Sequence, residues 1–277
     1  MPSLILEGGT LRGIFSAGAM DALLDNDIMF PYCIGVSAGI SNGVSYLSRQ
    51  SRRNLEILEK YRLDHRYLSY RNFLRCRSIF GLDFVFGEIP DHLVPFDWNT
   101  YSQYTGTVLV GVTNATTGSS EYLDGHKMDK KFTMLRATCA IPMFFPTITI
   151  EGTPYYDGGL ADPIPVKKAI IDGNQKHLIL LTQPKGYQKK LNRETEFAAR
   201  ILKRKYPKLS EVMLTRHLHY NDTVKYCEKL EEDGSAIILR PHASLNSFEK
   251  DVDVIRRNYE EGYAAALQRL DDIAKLF

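Results

Sequence analysis

Hydrophobic positions along the chain follow two periods. Short apolar runs at 3 to 7, 31 to 35, 106 to 113, 177 to 182 and 235 to 239, bounded by turn-forming residues, read as buried strands. Between them, apolar residues recur at three- and four-residue steps over 12 to 26, where Ile14, Ala17, Met20, Leu23 and Leu24 fall on one face. The same spacing predicts helices over 37 to 48, 52 to 64, 130 to 139 and 163 to 172. Strands alternating with helices predict βαβ units and therefore an α/β fold with a mainly parallel sheet. The stretch TITIEGTPYYD reads as a hairpin that turns at Gly152.

Two regions depart from that rhythm. Residues 60 to 80 interleave Arg62, Arg66, Arg71, Arg75 and Arg77 with Tyr61, Tyr67, Tyr70, Phe73 and Phe80, and the chain stays irregular and apolar to Trp98. Such a segment suits the wall or cover of a cleft. After Pro184 the composition turns basic, with nine Lys or Arg against two acids over 185 to 208. This change sets a boundary between residues 1–183 and a mostly helical C-terminal extension, 184–277, holding a basic helix, a short strand and a final helix over 248 to 276.

The 277 residues are enough to bury a large core, and 44% apolar with 25% charged residues is the make-up of a soluble globular protein. A net charge of +2 selects no anionic partner. Cys33, Cys76, Cys139 and Cys227 are scattered without a Cys-x-x-Cys pair, so reduced thiols in a cytoplasmic setting are expected. The N-terminus has neither the basic start nor the apolar run of a leader, and no window reaches the ~18 apolar residues of a membrane span. The basic-aromatic stretches 60 to 80 and 185 to 208 fit either a solvated helix face or peripheral contact with an anionic bilayer.

The chemistry starts at LILEGGTLRGIFSAG. The first strand ends at Glu7, and Gly8-Gly9-Thr10-Leu11-Arg12-Gly13 turns straight into a helix. Glycines there clear side chains from above the strand end, so several N–H groups can converge beside a positive helix terminus. The loop suits a phosphate or a transient oxyanion. It lacks the G-x-x-x-x-G-K-[ST] and G-x-G-x-x-G patterns, which argues against nucleotides. The second strand ends in Gly35-Val36-Ser37-Ala38-Gly39, a G-x-S-x-G pattern in the strand-to-helix context that an elbow serine requires. Alone, the pattern also fits a helix N-cap. Two consecutive parallel strands put both loops at the carboxyl edge of one sheet, and that pairing favours a nucleophile at Ser37.

A serine needs a base. His242, in LRPHASL after the last strand, stands where a hydrolase triad keeps its histidine, although a surface-loop imidazole is the plainer reading and Asp157 the stronger base candidate. Asp157, leaving the hairpin into Gly158-Gly159, is the other candidate, with a plain structural turn as its alternative.

Taken together, EGGTLRG at 7 to 13, GVSAG at 35 to 39, RATCAIPMFFP at 136 to 146 and YYDGG at 155 to 159 resemble the blocks of bacterial patatin-like phospholipases (patatin-related acyl hydrolases), in the same order. The resemblance covers about residues 1 to 183. It implies a three-layer α/β/α sandwich and a Ser-Asp dyad, with Ser37 as nucleophile and Asp157 as its proton acceptor. It further implies backbone donors to an oxyanion from Gly8, Gly9, Thr10, Leu11 and Arg12, acyl-ester lipids as substrates, and no metal or other cofactor. No nucleic-acid partner is expected, and the sequence carries no signal of oligomeric state. Ile141, Met143, Phe144, Phe145 and the segment 80 to 98 are the expected groove wall.

One position departs from the family. Where relatives usually carry a third consecutive glycine, this chain has Thr10, and a β-branched residue resists positive φ. Two other readings stand beside the dyad. One is an esterase or thioesterase of the α/β-hydrolase kind that uses His242. The other is a catalytically silent binding protein that keeps the fold.

Overall fold

The computed structural model describes residues 1–69, 71–73 and 78–277. Tyr70, Arg75, Cys76 and Arg77, all named above, lie outside the described residues.

The strands are β1 (Pro2–Leu6), β2 (Tyr32–Val36), β3 (Thr107–Asn114), β4 (Ser120–Asp124), β5 (Ile148–Ile150), β6 (Thr153–Asp157), β7 (Lys176–Leu180) and β8 (Ala236–Leu239). They form one sheet whose hydrogen-bonded path runs β5-β6-β3-β2-β1-β7-β8, with β4 also paired to β3. The segment β3-β2-β1-β7-β8 is parallel, and β4, β5 and β6 are antiparallel additions.

Alternation along each central strand sends successive side chains to opposite faces. Leu4, Leu6, Cys33, Leu178, Leu180, Ile237 and Leu239 share one core with the helices Ile14–Asp25, Ala38–Leu47 and Val252–Gln268. Ile5, Ile34, Ile179, Leu181, Ala236 and Ile238 share the other with the helices Val166–Ile171 and Pro207–Glu232. Helices therefore cover both faces of the sheet, a three-layer α/β/α sandwich, and the buried strands read as unbroken apolar runs for that reason. β4 escaped the sequence reading because Ser120, Glu121 and Asp124 give it no apolar alternation.

The stretch after residue 183 is woven into this architecture. It adds β8 to the sheet and a helix to each layer. The helix Val252–Gln268 crosses Ile14–Asp25 so closely that a Cβ on Gly18 would stand 2.0 Å from the Tyr259 carbonyl oxygen, and one on Gly262 1.9 Å from that of Phe15. Tyr259 Oη donates to Asp21 Oδ2 across the same contact (2.8 Å). Among the described residues, no helix is long and apolar enough to cross a membrane.

One detail of register positions the site. Along β3, residues 107–111 pair with β2, 112–114 with β6, and 109–113 with β4. Because a strand has two edges, β4 takes one and β2 and β6 share the other. β2 ends at Val36 opposite Gly111, and β6, running the opposite way, ends at Asp157 opposite Val112. The carboxyl ends of two strands thus meet head to head, and Ser37 and Asp157 meet with them.

Candidate active site

Ser37 follows β2 directly and precedes the helix Ala38–Leu47. Its φ of 52° and ψ of −134° lie in a region costly for a side-chain-bearing residue, on the order of 1–3 kcal/mol. The surroundings impose that conformation. The Ser37 N–H donates to Thr138 Oγ1 (2.8 Å), and Thr138 Oγ1 in turn donates to the carbonyl of Gly111 on β3. Small neighbours are required by close approach, since a Cβ on Gly35 would sit 2.7 Å from Leu6 Cβ, and one on Gly39 2.6 Å from the Glu7 carbonyl oxygen.

The buried Asp157 carboxylate lies within hydrogen-bond reach of the Ser37 hydroxyl, and its Oδ1 accepts the N–H of Gly159 at 2.8 Å. Burial pushes its carboxyl above the ordinary aspartate value, while the hydrogen bonds from Ser37 and Gly159 and the nearby Arg216 guanidinium pull the other way. The turn that aims it leaves no room for a side chain: a Cβ on Gly158 would stand 2.1 Å from the Gly111 carbonyl oxygen. A hydroxyl beside a buried carboxylate has a proton acceptor within reach.

The first glycine loop lies over this pair, and a Cβ on Gly8 would reach to 2.9 Å from Ser37 Cβ. Gly9 has extended backbone (φ −179°), so its lack of a side chain answers to space: a Cβ would stand 2.6 Å from Thr182 Oγ1. Thr10 adopts φ +51°, the conformation the usual glycine would supply at no cost. Its hydroxyl compensates with contacts to the carbonyl oxygens of Gly9 (2.6 Å) and Ser247 (2.9 Å). Of the five expected oxyanion donors, Leu11 and Arg12 are already engaged, Leu11 N–H with Ser247 O (3.3 Å) and Arg12 N–H with Gly9 O (3.1 Å). The reason is that the loop turns into a 3-10 helix at Thr10. Among the described residues, the N–H groups of Gly8, Gly9 and Thr10 have no protein acceptor.

Ser37 opens on a cleft of about 150 Å³. Its lining is mostly apolar and includes Phe80, Val85, Phe86, Phe132, Leu135 and Phe145. The segment after residue 80 therefore does line a cleft, and Ile141 and Phe145 join it. Met143 and Phe144 do not. They are exposed, because Met143 at φ +70° turns the chain outward between Ile141 and Phe145. Cys139 lies beside Ser41 (3.3 Å between Oγ and Sγ) and within hydrogen-bond reach of Ser37, and burial pushes its thiol up to about 12.

His242 is elsewhere. Its side chain is 85% exposed on the loop after β8 and faces Glu261 at 3.4 Å. Among the described residues no histidine lines the cleft, so the reading that made His242 the base of Ser37 is corrected: it lacks both the burial and the contact. No group of three or more His, Cys, Asp or Glu side chains among the described residues is arranged to hold a metal ion.

The sequence reading missed two contributors. Thr138 fixes the elbow, and Arg216 reaches in from the helix Pro207–Glu232 to donate through Nε to the Gly159 carbonyl. Thr138 lies inside the RATCAIPMFFP block, where the signal was present as a motif and absent as a role. Nothing in the local sequence of Arg216 distinguishes it from a surface helix arginine.

Comparison with known proteins gives two family matches. A family model described as patatin-like phospholipase matches residues 4–170, and one described as a domain of unknown function (DUF6363) matches residues 206–277. The uncharacterized protein YjjU of Escherichia coli (strain K12) is 27% identical over 196 residues, 66% of this chain and 52% of that protein, so the chain spans about half the length of this curated relative. The crystal structure of VipD from Legionella pneumophila superposes on 98% of this chain and 66% of its own, at 13% identity and a TM-score of 0.48. The first match takes in the glycine loop, the serine elbow and the Asp157 turn within well over half of the chain, and the chain belongs to the patatin-like phospholipase family.

Proposed function

We propose that the protein is a serine lipid acyl hydrolase of the phospholipase A or lysophospholipase type, working through a Ser37-Asp157 dyad without histidine. One observation carries the reading: the Ser37 hydroxyl, on a strained elbow, stands within hydrogen-bond reach of a buried carboxylate at the mouth of an apolar cleft. In the first half-reaction Ser37 Oγ attacks the ester carbonyl and its proton passes to Asp157. The oxyanion forms opposite the N–H groups of Gly8, Gly9 and Thr10, each such donor contributing about 3 kcal/mol in comparable sites. The C–O bond then breaks, and the leaving alcohol takes the proton back from Asp157. A water repeats the sequence on the acyl-serine, with Asp157 again the base, and releases the fatty acid. The apolar lining of the cleft favours an acyl chain, which gains roughly 0.8 kcal/mol per buried methylene.

Peripheral membrane contact belongs to the same proposal. The helix Arg193–Leu202 packs Ala198 and Ala199 inward beside Phe145 and turns Phe197 and Ile201 outward, 61% and 47% exposed, next to Arg200. Exposed Met143 and Phe144 are on the chain segment that carries Ile141 and Phe145 into the cleft. Exposed apolar residues beside an arginine suit an anionic bilayer. Cys33, Cys139 and Cys227 are all unpaired, which supports a reducing, cytoplasmic setting.

The test is hydrolysis of short- and long-chain p-nitrophenyl esters by the wild type and by Ser37→Ala, Asp157→Ala and His242→Ala. The first two variants should lose about 10⁴ in turnover while His242→Ala keeps it. Loss on replacing His242 alone would sink the dyad, and a wild type that neither turns over nor reacts with a phosphonate probe would leave a silent patatin fold.

A further inference from the structure

We propose that the C-terminal stretch, which carries no motif of its own, is the second half of the active site and positions both working loops. The inference rests on the Ser37-Asp157 reading.

The first observation is at the Asp157 turn. Arg216 Nε donates to the Gly159 carbonyl, the Gly159 N–H donates to Asp157 Oδ1 (2.8 Å), and the Ser37 hydroxyl lies within hydrogen-bond reach of Asp157. Hydrogen bonds thus run from the helix Pro207–Glu232 to the carboxylate beside the serine. Arg216 also sets a charge beside the carboxylate: a Cβ built on Gly159 would stand 3.1 Å from Asp157 Oδ1 and 3.5 Å from Arg216 Nη2, so both groups border the same glycine. Burial works against this guanidinium, and Asp157 and Glu7 hold it charged.

The second observation is at the oxyanion loop, on a different C-terminal segment. The Ser247 carbonyl accepts both the Thr10 hydroxyl (2.9 Å) and the Leu11 N–H (3.3 Å), and Ser247 Oγ accepts from Arg12 Nη1. Three consecutive loop residues hang on one serine. This grip holds Thr10 at φ +51° and turns Leu11 N–H to Ser247, which leaves the preceding N–H groups without a protein acceptor in a loop that touches Ser37 at Gly8. The serine is itself fixed, because Arg62 donates to the Phe248 carbonyl (2.9 Å) and to that of Glu249, and the next helix is locked across Ile14–Asp25.

An oxyanion loop and a base contribute most when they need not rearrange during the reaction. In this chain the residues that prevent rearrangement come from outside the region that carries the motifs. Arg216 and Ser247 are positioning residues, acting through Gly159-Asp157 and through Thr10.

The test compares Arg216→Gln and Arg216→Lys in the full-length chain. With the charge removed, Asp157 holds its proton to higher pH, so the acid limb of the kcat/KM profile for a p-nitrophenyl ester should move up by roughly one pH unit, with kcat falling more than KM changes. Arg216→Lys should return the limb toward the wild-type position. A Gln variant that melts with the wild type and overlays its pH profile overturns the role of Arg216. A second readout needs no turnover: thermal unfolding of Arg216→Gln, Asp157→Asn and the double variant should give non-additive shifts in Tm, and additive shifts overturn the pairing. Coupling in an inactive wild type would mean that the proposed hydrolase function is wrong while the positioning stands. At the other loop, Thr10→Val should lower kcat roughly ten-fold and Thr10→Ser should keep it, since only the former loses the hydroxyl that grips Ser247. Equal kcat for the two would remove Ser247 from the proposal.

Discussion

The two sides of Ser37 are built on opposite principles. On one side stand backbone groups and one buried carboxylate, held by hydrogen bonds at sites where even a methyl group does not fit: Gly8, Gly39 and Gly158 would each place a Cβ within 3 Å of a neighbour. On the other side is the cleft, where Phe80, Phe86, Phe132, Leu135 and Phe145 meet by ring and methyl packing. Phe80 stacks on Phe145 with centroids 5.9 Å apart. A polar wall made of main chain tolerates almost no change, because its geometry is the chemistry. An apolar wall made of side chains can be reshaped one residue at a time, and substrate range belongs there.

The sharpest way to break that contrast is Gly158→Ala. Its Cβ would meet the Gly111 carbonyl oxygen at 2.1 Å, and because that oxygen is β3 main chain and Gly158 directly follows β6, the end of β6 must move off β3. Turnover should fall below detection and urea unfolding should show a loss of about 3 kcal/mol. A variant that retains activity would mean the Asp157 turn is softer than its packing indicates.

Next in size is Asp157→Asn, where function and stability should move in opposite directions. The folded carboxyl titrates above the ordinary value of 3.8, so the folded state holds this proton more tightly than the unfolded chain does. That contribution is fully present below 3.8 and is lost as pH rises through the raised folded value. The variant removes it. Thermal melts should therefore show Asp157→Asn gaining on the wild type as pH rises above about 4, while turnover drops by about 10⁴. Equal stabilities at every pH would show that burial does not strain this carboxylate. Asp21 offers a control away from the site. Burial raises it to about 6 despite bonds from Arg52 N–H and Tyr259, so stability that depends on its proton should also fade between about pH 4 and 6.

The polar wall was also the part most legible from the sequence, and for the same reason. Positions that exclude Cβ must be glycine, so EGGTLRG, GVSAG and DGG are written into the chain as local patterns. The buried parallel strands were legible as unbroken apolar runs, and the hairpin by its Gly152. What the sequence hid were contacts between distant residues. Arg216 lies 57 positions from Gly159, and Ser247 lies 237 from Thr10. Neither is marked by its neighbours, since an arginine on a long helix and a serine in a loop look alike whether they face solvent or a catalytic turn. His242 is the converse case: its place after a final strand fits a hydrolase triad, and its exposure and its pairing with Glu261 remove it.

On the apolar side, Phe80→Leu should leave kcat for a short ester nearly unchanged and reduce the preference for a long chain about ten-fold, read as the ratio of the two kcat/KM values. A drop in both would mean that the cleft wall reaches the chemistry. Phe197→Glu should act earlier still, weakening flotation with phosphatidylglycerol-rich vesicles while hydrolysis of a soluble short ester stays the same. Unchanged flotation would take the helix Arg193–Leu202 out of membrane contact.

The smallest effect falls where the two principles overlap, at Thr10, the one side chain inside the main-chain wall. Thr10→Gly does two opposing things. It relieves a β-branched residue at φ +51°, a gain on the order of 1 kcal/mol, and it removes the hydroxyl contacts to Gly9 and Ser247, a loss of about the same size. The melting temperature should stay within a few degrees of the wild type. Turnover should not cancel in the same way, because strain relief acts on the whole fold whereas the grip acts on the loop that faces the oxyanion. We therefore expect kcat to fall two- to ten-fold at constant Tm. A rise in kcat would reverse the assignment, making the Thr10 side chain an obstacle in a glycine loop and leaving the Leu11 N–H to hold Ser247 unaided.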